Sequence, residues 1–163
     1  VPTPTMGYIH PGDSIVLLSG FLLGPVYGGL AAGIGSMFSD LFGGYFSYAP
    51  ATFVIKTLTA VFASLLFRAF TKKLSDVSAG KQAAFTAISG TIGEAFMVFG
   101  YFVFEIFLMA IATGDGFSST SLAAGVASSA SGIPFNIVQG LFGVILSTIL
   151  YPLLKKPLAQ FTD

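Results

Sequence analysis

Three charged residues, Lys56, Glu94 and Glu105, sit inside apolar stretches of this chain that are long enough to cross a bilayer. A charge at membrane depth costs about 2.5–3.5 kcal/mol on insertion scales, so it turns toward a partner or a wet cavity rather than toward lipid. Counted along a helix from the expected outer end of each stretch, Lys56 lies roughly 8 Å deep and Glu105 about 10 Å. Asn136 and Gln139 fall at about 5 and 9 Å on their own stretch, at neighbouring positions of one face. Four polar side chains from three helices then share one outer-leaflet layer: a cation, a carboxylate and two amides that both donate and accept hydrogen bonds. That set suits a pocket for a small molecule. The competing reading is a snorkelling Lys56 that forms a structural bridge with Glu105.

Glu94 lies deeper, in GTIGEAFMVFGYFVFE, seven residues before Tyr101 and eleven before Glu105, so the three fall near one helix face. A hydrogen-bonded packing role competes with ligand contact at Glu94. Tyr8, Tyr45 and Tyr48 fall in expected outer loops, where rings either stack on a flat heterocycle or form an interfacial belt. His10 in YIHPGD is a further binding candidate. The first reading of it and Asp13 is that they cap and shape the entry of a hairpin, Asp13 from an N-cap position. Asp40, at the outer end of its helix, reads as structural.

The elements that must hold these groups are membrane helices. The 163 residues are 54% hydrophobic and 9% charged, with mean hydropathy +0.87, too little polar surface for a soluble domain of this size. Alternation of period two is absent, so a β-barrel is not expected, and neither is a solenoid repeat. A single all-α transmembrane domain over residues 1–163 is expected, with helices at about 13–23, 25–40, 51–72, 82–112 and 133–155. The first two come from one apolar stretch broken at Gly24-Pro25, where a helix ends or kinks. They form a tight hairpin in this reading; the alternative is one kinked span.

Arg68, Lys72, Lys73 and Lys81 crowd one connection, and Lys155 and Lys156 follow the last span, so both regions are expected in the cytoplasm. The stretches around 43–50 and 113–132 carry no Lys or Arg and should face outside. Gly28, Ala32 and Ser36 recur every four residues, as do Gly29 and Gly33, a small-residue pattern that serves packing within the bundle or contact with a membrane partner.

Several function classes are excluded. Seven Lys and Arg balance seven Asp and Glu with no basic patch among aromatics, so nucleic acid is not an expected partner. Zero Cys and one His leave no metal cluster. No GxxxxGK[ST] loop exists, since Gly80-Lys81 is followed by Gln82, and there is no nucleophile elbow or HExxH. No catalytic residue, resident cofactor or metal is expected, and the chain is read as a non-enzyme that does not hydrolyse ATP itself. A free-standing secondary carrier would show an inverted repeat or a charge path to both faces, and neither is visible.

The run from Tyr8 to Leu58, YIHPGDSIVLLSGFLLGPVYGGLAAGIGSMFSDLFGGYFSYAPATFVIKTL, resembles the start of the substrate-binding S components of energy-coupling factor (ECF) vitamin transporters. GEAFMVFGYFVFE, IPFNIVQGLFG and the basic YPLLKK resemble the same family's last helices. The resemblance implies a six-helix bundle in a bacterial plasma membrane that binds a micronutrient near the extracellular face. It also implies a membrane T subunit and two ATP-binding cassette ATPases as partners, with the bundle toppling in the bilayer to release cargo. Lys56, Glu105, Asn136 and Gln139 would face that cargo. The family's first helix would lie before Val1 and is expected upstream; Gly28, Ala32 and Ser36 would add to the partner surface. Among subgroups the likeness is to riboflavin, hydroxymethylpyrimidine and pyridoxine-type carriers, with a pyridoxine-type or pyrimidine ligand preferred and riboflavin as the alternative.

Overall fold

In the computed structural model, which describes residues 11–72, 78–112 and 116–159, the regular structure is entirely α-helical among those residues. Helix α1 spans Asp13–Gly43, α2 Ala49–Thr71, α3 Ala79–Ala112 and α4 Ser119–Ala159. By length and composition each is a candidate membrane span.

α1 is not one rod. Gly24 has φ 88° and ψ −179°, a conformation essentially restricted to glycine, and Pro25 follows it. The Ser19 hydroxyl donates to the Gly28 carbonyl at 3.0 Å. In a continuous helix those residues would be about 13 Å apart along the axis, so the expected hairpin is present, with limbs 13–23 and 25–43. The Arg68 guanidinium lies over Gly24, which sets the hairpin tip at the C-terminal end of α2.

Small residues let these helices touch through their backbones. A methyl group at Gly20 would sit 2.6 Å from the Ala60 carbonyl oxygen, and one at Gly93 would sit 3.0 Å from that of Thr59. Gly28 lies against Ser19 and Gly20 of the opposite limb, and Ala32 is buried with Val16 and Ala60. In the small-residue stripe Gly28 and Ala32 are thus buried in packing inside the chain, and Ser36 is half-buried. The outward face of the second limb carries Tyr27, Leu30, Ile34, Phe38 and Phe42 at helical spacing, all exposed, as a lipid-facing stripe requires.

At the hairpin-tip end, Phe21, Phe67 and Tyr151 tie three helices together, with ring centroids 5.0 to 6.0 Å apart. At the opposite end Gly44, with φ 81°, turns the chain between α1 and α2.

α4 starts at Ser119, whereas hydropathy points to a loop over 113–132 and a helix from 133. The segment SLAAGVASSASG is weakly hydrophobic, yet its alanines favour helix and its small side chains let it lie on α3. A methyl group at Gly125 would be 2.7 Å from the Ile106 carbonyl oxygen. Pro134, which suits a first helical turn, is instead inside α4.

Candidate functional site

Four buried polar residues form a node to which each of the four helices contributes one side chain. Lys56 of α2 donates from Nζ to Asp13 Oδ1, at the start of α1, in a buried ion pair. Gln139 of α4 donates from Nε2 to the other oxygen, Asp13 Oδ2, at 2.9 Å. One carboxylate is thus shared between two helices that the chain separates widely. Glu94 of α3 lies on the bare surface of α4: a methyl group at Gly140 would be 3.2 Å from its Oε2, and one at Gly143 would be 3.4 Å from its Oε1 and 2.8 Å from Asp13 Cβ. All four side chains are at most 4% exposed.

Above the node sits Tyr101. The Lys56 ammonium is 5.3 Å from its ring centroid, a cation–π distance, and its hydroxyl is 3.0 Å from Thr52 Oγ1. Tyr48 follows, with its ring 6.5 Å from that of Tyr101 and 5.3 Å from Phe104. Its hydroxyl donates to Glu105 Oε1 at 3.4 Å.

Tyr48 and Glu105 open onto a cavity of about 440 Å³ at the Gly44 end of the bundle. Its walls are the turn 44–48, the α3 residues Glu105, Leu108, Met109 and Ala112, and Ser128 of α4. The turn is held by the Tyr45 amide donating to the Asp40 carbonyl at 2.8 Å, and by the Tyr48 amide donating to the Tyr45 carbonyl at 3.0 Å. Asp40 is thus an anchor for the turn that presents both tyrosines. Two phenol rings, one carboxylate, two serines and an otherwise apolar wall can stack a flat ring and accept hydrogen bonds from its substituents.

The residues picked out from sequence divide accordingly. Tyr45, Tyr48 and Glu105 line the cavity, and Tyr101 lies beneath it. Lys56 and Gln139 belong to the node, each bonded to Asp13, so the carboxylate that Lys56 bonds is Asp13 and not Glu105. Glu94 faces the node, and Asn136 is half-buried on α4 outside the cavity lining. Tyr8 and His10 lie outside the described residues. Asp13 is the member that sequence reasoning undervalued. It is not an N-cap, which is Gly12, but the buried counter-charge of Lys56. The available signal was electrostatic: a lysine placed in an apolar helix needs an anion from another one.

Comparison with known proteins agrees with this architecture. A relative from Pyrococcus woesei, described as an uncharacterized protein in the gap 3′ region, is 30% identical over 156 residues, covering 95% of this chain and 93% of the relative. No solved structure matches. The family described as ECF-type riboflavin transporter, S component, matches residues 1–156. This is a family of vitamin-transporter subunits and not of enzymes. With its long apolar helices the chain is a multi-pass membrane protein, and it belongs to the family of ECF-type riboflavin transporter S components.

Proposed function

We propose that this chain is the vitamin-capturing subunit of an ECF importer and that its cargo is a flat aromatic B vitamin bound in the cavity of Tyr45, Tyr48 and Glu105. The observation that carries this reading is the cavity itself, at about 440 Å³ within the size range of small-molecule sites, with two phenol rings and one carboxylate converging on an apolar wall. Riboflavin is favoured by the family's description and by a cavity roomy enough for a fused ring system. A pyridoxine-type or hydroxymethylpyrimidine cargo is the second reading, favoured by the small number of polar groups on the wall, which a compact hydroxylated heterocycle could satisfy.

In this reading the Asp13–Lys56–Gln139 node is the floor that keeps α1, α2 and α4 in register, while Tyr101 transmits the position of Lys56 to the cavity wall. Delivery of the cargo falls to a membrane T subunit and two ATPases, and the bundle topples to present it. Uptake by reconstituted vesicles tests this division of labour. The chain alone should bind vitamin without accumulating it, and accumulation by the chain alone would instead make it a carrier.

A further inference from the structure

Between α3 and α4 the bundle surface carries a lateral groove of about 160 Å³, walled by Thr91, Ala95 and Val98 on one side and by Ile137, Gly140 and Leu141 on the other. Ala95, Ile137 and Leu141 are exposed, so the groove opens sideways, where lipid surrounds the bundle. Glu94, 4% exposed, lines it from inside and is the only charged residue of its lining. The two carboxyl oxygens face different neighbours. Oε1 lies on the side of Gly143 and Asp13, whereas Oε2 lies 3.2 Å from where a Gly140 methyl group would be, which is the groove side. No hydrogen-bond donor among the described residues reaches Oε2. The one hydroxyl of the lining, that of Thr91, donates instead to the Ala87 carbonyl of its own helix at 2.8 Å. A buried polar atom without a partner is costly, and at membrane depth no water supplies one.

We propose that this groove is a binding site for a lipid-soluble alcohol, whose hydroxyl bonds Glu94 Oε2 and whose hydrocarbon part lies along Val98, Ile137 and Leu141. A hydroxyl suits either state of the carboxyl group, since it donates to a carboxylate and accepts from a carboxylic acid. In size the groove matches a ring or chain of about six carbons, because an apolar cavity of about 150 Å³ holds benzene. A longer chain continues into the bilayer through the open side. Glu94 lies near the middle of the 34-residue α3, about 15 Å from either headgroup layer of a hydrocarbon core about 30 Å thick. The ligand is therefore a free alcohol dissolved in the bilayer and not a phospholipid headgroup. The groove shares no residue with the cavity of Tyr45, Tyr48 and Glu105 and requires no vitamin, so this inference goes beyond the proposed cargo site.

The test uses the full chain in phosphatidylcholine vesicles without vitamin, photolabelled with an octanol that bears a diazirine, with adducts located by mass spectrometry. Labelling should saturate with probe concentration and fall on the groove residues of α3 and α4. Unlabelled octanol should compete, and octane at equal concentration in the bilayer should not. Ala95→Phe fills the groove from an exposed position and should abolish the saturable labelling, with the fold intact by circular dichroism. Glu94→Leu should remove the advantage of octanol over octane; if that variant fails to fold, Ala95→Phe and the octane comparison decide alone. The proposal is overturned by labelling that rises linearly and spreads over the lipid-facing residues, or by equal competition from octane. Saturable labelling that survives Ala95→Phe, or an octanol advantage that survives in folded Glu94→Leu, overturns it as well.

Discussion

The Lys56 ammonium bonds the Asp13 carboxylate across the interface of α1 and α2, and Gln139 bonds the same carboxylate from α4. Both charges are buried. Removing one partner strands the other. Asp13→Asn or Lys56→Met alone should lower stability by about 3–5 kcal/mol, whereas the double replacement Asp13→Leu with Lys56→Met should lose much less than the sum. A double-mutant cycle by denaturant or thermal unfolding in detergent checks this; additive losses would mean the pair is not coupled.

Gly20 and Gly35 make a controlled comparison of close packing. A methyl group at Gly20 meets the Ala60 carbonyl oxygen at 2.6 Å, while one at Gly35 meets nothing within 4 Å. Gly20→Ala should destabilise by about 1–3 kcal/mol through overpacking. Gly35→Ala should be neutral or slightly stabilising, since alanine is the better helix former. The two unfolding midpoints measured side by side decide the matter.

Gly24 carries the hairpin. With φ at 88° and the Arg68 guanidinium overhead, an alanine there meets both backbone strain and a steric conflict. Gly24→Ala should cost about 1–3 kcal/mol, and Arg68→Ala in the same chain should relieve only the steric part. Unfolding midpoints of the single and double variants separate the two contributions.

The turn presenting Tyr45 and Tyr48 depends on Gly44, whose φ of 81° lets the Tyr45 amide reach the Asp40 carbonyl. Gly44→Val, with a β-branched side chain in the left-handed region, should disturb the turn more than the bundle. The expected signature is weakened vitamin binding with a small change in unfolding temperature. A large loss of stability with unchanged affinity would separate the turn from the cavity.

Much of this fold is written in hydropathy and in two residues, Gly24 and Pro25, whose backbone limits break an otherwise continuous apolar stretch. The start of α4 is not, because Ala, Ser and Gly between 119 and 132 have little hydropathy and their helicity depends on packing against α3. For the site, Glu105, Tyr45 and Tyr48 stood out as polar or aromatic groups near an expected outer surface. Lys56 signalled that it needs an anion from another helix, but not that Asp13 supplies it, since the two are 43 positions apart and their meeting depends on how deep the hairpin's first limb begins. Asn136 stood out for its spacing to Gln139; it is half-buried on α4, outside the lining of the cavity at the Gly44 end. The close approach of Glu94 to α4 depends on Gly140 and Gly143 of that helix, which a pattern within α3 cannot reveal.

The most direct measurement is equilibrium binding of riboflavin, pyridoxine and hydroxymethylpyrimidine to the purified chain by calorimetry, repeated with Glu105→Ala and Tyr48→Ala. Expected is tight binding of one of these vitamins, weakened about tenfold or more by each substitution with the fold intact by circular dichroism. Tight binding that neither substitution alters, or no binding of any of the three by a folded wild-type chain, would contradict a vitamin site in the cavity of Tyr45, Tyr48 and Glu105.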